Sequence, residues 1–288
     1  MQALRGSQCY APDSALKCAP PMTDPKLEKL VTVIRDGAIA TVTINRGDGR
    51  NALSRQLMLE LMEAANGFAD DLQTQAIILA SQGAFTAGAD LKDPMLDQMR
   101  AAGLLERRHF LRLGPDLCDA WQKVDQVTIC AIEEYCIGGG VALAVACDFR
   151  IVGKSAVMRL PEIPLGMNMS WHAVPRLVSL IGPARTKRFV MFGEKIGAQE
   201  LLAWGLADEV APDGKAGAAA RSWAEKIAML PPNALRMTKH SVNATTNALH
   251  HATSFMDLDQ YLLAATSEDL LEGILAFREK RKPKFTGR

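Results

Sequence analysis

The sequence predicts an α/β fold, a sheet of buried strands interleaved with helices and followed by a helical C-terminal region. Three observations predict it. Between residues 30 and 152, short β-branched or apolar runs alternate with segments of helical period. Two of the runs lead into loops rich in glycine and other small residues, 81–91 and 138–140, and ligands of such sheets bind at loops of this kind. From residue 183 onward the pattern is almost wholly helical.

Residues 30–35 and 39–44 are β-branched runs separated by Asp36-Gly37, a hairpin signal. The loop Asn45-Arg46-Gly47-Asp48-Gly49-Arg50-Asn51 is built of turn formers. Ser54 can cap the next helix, whose residues Leu57, Leu59, Leu61, Met62 and Ala65 fit an apolar helical face. Residues 76–80 form a third buried strand that enters the small-residue loop 81–91. Residues 95–124 make one or two helices with Arg107, Arg108 and His109 on the outer side, which places His109 in solvent. Residues 149–152 form a further strand, and helices are expected at 183–192, 198–204, 217–229, 234–249 and 257–281. Pro231-Pro232-Asn233 breaks two of them. The chain divides into a flexible extension (1–28), a core (29–212) and a helical region (213–288). The extension lacks the apolar centre of a signal peptide, and Met22 would also serve as a start.

Composition narrows the function classes. With 288 residues, 48% of them hydrophobic, the chain can bury a substantial core. A formal charge of +1, from 33 basic and 32 acidic residues, gives no global attraction to nucleic acid or a membrane surface. No apolar run approaches membrane-span length. The six cysteines (Cys9, Cys18, Cys118, Cys130, Cys136, Cys147) form no CxxC pair and stand with no His cluster at zinc spacing, and a reducing, cytoplasmic setting fits.

Two features carry chemistry. The apolar run 127–132 is followed by Gly138, Gly139 and Gly140 and then by the small-residue segment 141–146, an order of strand, glycine turn and helix. Without Cβ atoms the turn admits a ligand close to the backbone, and the helix start presents unpaired N–H groups that favour negative charge. A tight packing turn is the alternative use of such glycines. The second feature is Glu162, a lone carboxylate between Pro161 and Pro164 in an otherwise apolar loop. An acid in that setting is costly unless it is paired or used, although a solvated loop acid would look the same in sequence.

The chain resembles the crotonase superfamily of enoyl-CoA hydratases and isomerases from about residue 30 to its end. The resemblance rests on Asn45-Arg46 with Asn51-Ala52-Leu53, on Phe85-Thr86-Ala87-Gly88-Ala89-Asp90-Leu91-Lys92, and on Gly138-Gly139-Gly140 followed by Ala146-Cys147-Asp148. Pro161-Glu162-Ile163 to Gly166, Trp204-Gly205-Leu206-Ala207 and the closing Arg281-Lys282-Pro283-Lys284-Phe285 extend it. It implies a spiral of ββα units with a helical C-terminal trimerisation region, and a homotrimer or hexamer whose C-terminal helices complete a neighbour's pocket. It also implies an acyl-CoA thioester substrate, with coenzyme A part of that substrate, no separate cofactor and no metal. The thioester oxygen would accept hydrogen bonds from the Ala89 and Gly139 N–H groups, stabilising an enolate. Coenzyme A would follow the backbone at Ala52, Leu53, Ala87, Asp90 and Leu91, with Gly138 lining the site and Lys282 or Lys284 meeting its phosphates.

Typical hydratases of the family carry two glutamates. Here the first position is Ala142 and the second is Glu162. Hydration is comfortably shared between two carboxylates, whereas moving a double bond from C3–C4 to C2–C3 needs one base. The sequence therefore favours an isomerase, with a specialised hydratase or lyase as the alternative. A non-catalytic CoA-ester-binding or scaffold protein is the alternative of another class, although a scaffold has no use for Glu162. Glu134, where the family usually has glycine, would either strain the backbone or supply an extra acid. Met167, Met169 and Trp171 stand where hydratases carry a glycine-rich run, and can shape an acyl pocket or pack in the core. His172 reads as a structural residue at a helix start.

Overall fold

The computed structural model describes residues 28–288, so the expected extension lies outside the described residues except for its last position. β1 (Val31–Asp36) and β2 (Ile39–Ile44) form the hairpin, with Asp36 paired to Ile39 across Gly37-Ala38. Ser54 caps α1 (Arg55–Asn66) by accepting the Leu57 N–H at 3.3 Å. β3 (Ala76–Ser81) precedes α2 (Met95–Ala101), α3 (Leu104–Leu111) and α4 (Leu113–Lys123). β4 (Val127–Ile132) and β5 (Tyr135–Ile137) lead to α5 (Gly139–Ala144). β6 (Phe149–Gly153) and β7 (Val157–Arg159) lead through a 3-10 turn (Ile163–Leu165) to α6 (Ala173–Phe192). β8 (Ile196–Gly197), α7 (Ala198–Trp204) and β9 (Glu209–Ala211) follow. The chain closes with α8 (Ala216–Ala228), α9 (Pro232–Thr246), α10 (His250–Ser254), α11 (Asp257–Ala264) and α12 (Glu268–Glu279).

A six-stranded sheet runs β1-β2-β3-β4-β6-β9, parallel except for the first pair, and β5-β7-β8 form a second sheet. Successive ββα units give one strand to each sheet: β4 and β5 before α5, β6 and β7 before α6. The residues after β3 join the pattern through a parallel bridge from Thr86 to Cys136. This is the spiral of ββα units that the resemblance implies. Both faces of the large sheet are covered, as parallel sheets require. Cys130 and Ile132 of β4 face one cluster with α1 and α4, while Ile129 and Ala131 face another with α8. α8 buries Ala216, Ala220, Ala224 and Ile227, a helical stripe. It belongs to the sheet's covering although the sequence grouped it with the C-terminal helices.

Region 95–124 forms three helices, because Gly103 and the junction at Arg112 interrupt it, and α3 buries no residue. α6 begins ten residues before the expected start, and Gly182 (φ +75°) kinks it ahead of Pro183. α12 closes over its own chain's 3-10 turn. A Cβ on Gly166 would stand 2.5 Å from the Asp269 carbonyl oxygen, and one on Gly273 would stand 2.5 Å from that of Leu165. α9 to α12 leave Met237, Val242, Leu249, Phe255, Leu263 and Phe277 exposed. Among the described residues no helix is long and apolar enough to cross a membrane.

Arg150 pins the far end of the glycine helix. It is 2% exposed and donates to the carbonyls of Leu206 (2.8 Å) and Cys147 (2.9 Å), with Asp208 3.3 Å away. Arg150→Ala is expected to destabilise the chain by about 3 kcal/mol or more, since it orphans several buried acceptors. Chemical denaturation measures this, and a loss within error of zero would contradict the network.

Candidate active site

The two glycine loops are zipped together. Thr86 N–H donates to the Tyr135 carbonyl (3.2 Å) and Ile137 N–H to that of Thr86 (3.1 Å). The first loop joins them, as the Thr86 hydroxyl donates to the Asn51 carbonyl at 2.6 Å and Ala87 N–H to that of Arg50 at 2.9 Å. The approach is close enough to require glycine. At Gly88 (φ +87°) a Cβ would lie 2.8 Å from the Ile137 oxygen, and at Gly140 it would lie 2.1 Å from the Thr86 methyl. Gly138 (φ +56°) starts α5, with the Gly139 N–H at the first helical position.

Ala89 bridges Leu53 in parallel fashion: Leu53 N–H donates to the Gly88 carbonyl (2.8 Å) and Asp90 N–H to that of Leu53 (3.1 Å). That pattern turns the Ala89 N–H to the other side. Among the described residues, neither it nor the Gly139 N–H donates within the chain. Two free donors on touching loops suit an oxygen that gains negative charge.

Glu162 completes the arrangement, held at the start of the 3-10 turn. Its Oε1 lies 2.8 Å from where a Cβ on Gly138 would be. Its stem is partly exposed, but Oε2 is buried with no partner among the described residues. Burial pushes the carboxyl up to about 7, against the smaller opposing effects of its own N–H and of the Arg159 guanidinium. Tyr261 of α11 shares these surroundings, its phenol raised by burial and by the Glu162 charge. Sequence reading missed Tyr261, which lies ninety-nine residues from Glu162 in a helix of ordinary pattern. The Cys136 thiol beside the turn is raised well above its usual range by burial, which keeps it un-ionised.

The other expected residues fall as follows. Ala52, Leu53, Ala87 and Gly138 line the zipped loops, and Leu91 is 58% exposed at their rim. Asp90 pairs with Arg46 at 2.8 Å, and Arg46 also donates to the Ala52 carbonyl, so Asp90 fixes the two loops to each other. Glu134 (φ +55°) is exposed on the β4–β5 turn, with its carbonyl bonded to Val157 N–H. Of its two expected outcomes, the strained turn is the one found. Lys282 and Lys284 are exposed on a tail that folds along α12, where the Lys284 N–H donates to Glu272 at 2.7 Å. His109 is exposed.

Trp171 (φ +61°) and His172 (φ +56°) are consecutive left-handed residues, costing about 1 kcal/mol each. Side chains hold them there. Arg176 donates to both carbonyls at 3.2 Å, Asp257 accepts the His172 N–H at 3.0 Å, and Asp119 bonds His172 Nδ1 at 3.0 Å. Among the described residues no cluster of three or more His, Cys, Asp or Glu is placed to hold a metal ion.

Known proteins resemble this chain in sequence and in fold. The enoyl-CoA hydratase/isomerase family model matches residues 35–288. The chain is 32% identical over 257 residues to a 2,3-dehydroadipyl-CoA hydratase of Escherichia coli, covering 89% of this chain and 98% of the relative. It is 32% identical over 261 residues to a methylglutaconyl-CoA hydratase of Mus musculus, covering 86% and 80%. Among solved structures, a carnitinyl-CoA hydratase from Mycobacterium avium superposes with a TM-score of 0.79 at 29% identity, covering 91% of this chain and all of that one.

Proposed function

We propose that this chain, which belongs to the enoyl-CoA hydratase/isomerase family, moves a carbon–carbon double bond in an acyl-CoA thioester with Glu162 as its single base. The observation that carries the reading is the site's supply of carboxylates. Among the described residues Glu162 alone is set against the glycine turn, Ala142 occupies the other acid position, and Glu134 is in solvent.

The thioester oxygen accepts from the Ala89 and Gly139 N–H groups. Glu162 takes a proton from C2 of a 3-enoyl thioester, and the electron pair flows into a dienolate whose oxygen those donors stabilise. Glu162 then returns the proton at C4, leaving the double bond conjugated with the thioester. No atom is gained or lost, so one group suffices. A carboxyl near 7 both accepts and returns a proton at neutral pH. Coenzyme A arrives with the substrate along Ala52, Leu53, Ala87, Asp90 and Leu91, and no further cofactor takes part. The exposed apolar residues of α9 to α12 suit burial in a homotrimer or hexamer. A cytoplasmic setting is part of this reading.

Hydration is the second reading. The names of the relatives favour it, as does Tyr261, whose hydroxyl in the Glu162 surroundings can hold a water. A paired assay separates the two. The isomerase converts a 3-enoyl-CoA and leaves a 2-enoyl-CoA unhydrated, whereas rapid hydration of the 2-enoyl-CoA selects the second reading.

A further inference from the structure

We propose that the Trp171 indole is the end wall of the acyl pocket and restricts the enzyme to short acyl groups. The inference deepens the reading above and rests on its acyl-CoA substrate.

The indole fills space that two glycines vacate. A Cβ on Gly139 would stand 2.4 Å from Trp171 Cζ3 and 2.6 Å from Cη2, and one on Gly114 would stand 2.1 Å from Cε2 and 2.4 Å from Nε1. The ring is therefore wedged between α5 and α4, with its benzo edge on the residue that supplies an oxyanion donor. A thioester whose oxygen meets the Gly139 N–H and whose C2 faces Glu162 extends its acyl chain into the neighbourhood of that ring.

The ring packs against the main core cluster without being enclosed by it. Trp171 is half-buried, and its Nε1–H donates to no atom of the described residues. The fold tolerates two left-handed non-glycine residues to keep the ring in place, and Arg176, Asp257 and Asp119 lock the strained segment. Strain maintained beside the reacting centre points to a positioned wall, and a fixed aromatic wall sets how far an acyl chain can reach.

The test compares wild type, Trp171→Ala and the milder Trp171→Phe in two ways: calorimetric binding of butanoyl-CoA and decanoyl-CoA, and turnover of enoyl-CoAs of the same lengths. Wild type is expected to favour the short ligand by about tenfold or more in both measurements. Trp171→Ala is expected to lose that preference through a gain of about tenfold on the long ligand, with Trp171→Phe intermediate. An unchanged length profile in a folded Trp171→Ala, or in Trp171→Phe where the alanine variant does not fold, overturns the inference. Should no variant turn over any enoyl-CoA while the binding preference still shifts, the proposed reaction fails and the wall stands. Should wild type turn over with a profile independent of position 171, the wall fails and the reaction stands.

Discussion

Glu162→Gln is expected to lower kcat by about 10³-fold to 10⁴-fold while saturated acyl-CoA still binds. The amide keeps the shape and removes only the capacity to accept and return a proton. In wild type kcat/KM should rise with pH through about 7, as the carboxyl held there by burial ionises to the active base. That limb should vanish from whatever activity the Gln variant retains. Stability should move the opposite way. The carboxyl titrates near its ordinary 4.5 in the unfolded chain and near 7 in the folded one, so the folded state binds the proton more tightly and ionisation opposes folding. The penalty is complete above pH 7, absent below pH 4.5, and amounts to about 3 kcal/mol. Glu162→Gln removes the charge but still buries an amide, so a net gain of about 1–2 kcal/mol is expected at alkaline pH, fading on acidification. Thermal unfolding of both proteins across that range measures it. Equal stabilities at alkaline pH, or a wild-type rate, would remove Glu162 from its role.

Much of this site was legible because it is written in residue types with one purpose. A triple glycine between a buried strand and a small-residue helix, and an acid framed by prolines, are both costly patterns, and the fold brings the two together at Gly138. The β1–β2 hairpin and the Ser54 cap were legible for the same reason, since turn and cap chemistry is local. The illegible parts depend on distant partners. β5, β7, β8 and β9 run for two or three residues each, too short for a period to show, and they exist because a neighbour's edge is there. Tyr261 feels the Glu162 charge in a chain whose α12 folds back over the 3-10 turn, through glycine contacts at Gly166 and Gly273 that no local pattern announces. Trp171 was ambiguous between pocket and core because its meaning lies in what it touches, and it touches both Gly114 and Gly139 and the core cluster.

Gly88→Ala is expected to cut kcat by about 10²-fold to 10³-fold without touching a proton-transfer group, because it misplaces one oxyanion donor. The added Cβ would stand 2.8 Å from the Ile137 carbonyl oxygen, a backbone atom that cannot swing aside as a side-chain tip would. Both surfaces are tethered. Gly88 N–H donates to Thr86 Oγ1 (3.1 Å) and its carbonyl accepts from Leu53 (2.8 Å), while the Ile137 N–H is held by the Thr86 carbonyl (3.1 Å). Relief must therefore shift one loop against the other, and the Ala89 N–H rides on the loop that moves. Donors aimed at a developing charge lose most of their effect when displaced by a fraction of an ångström, while ground-state binding of the thioester suffers less, so the loss should fall on kcat more than on KM. Gly37→Ala supplies the control. Gly37 (φ +58°) carries the same kind of backbone strain with nothing within 4 Å of an added Cβ, at the hairpin turn away from the two loops. That variant should lose about 1 kcal/mol of stability and no activity. If Gly88→Ala merely matches the control, losing stability and keeping kcat, the Ala89 N–H is not a donor to the transition state, and the Gly139 N–H must carry the enolate without it.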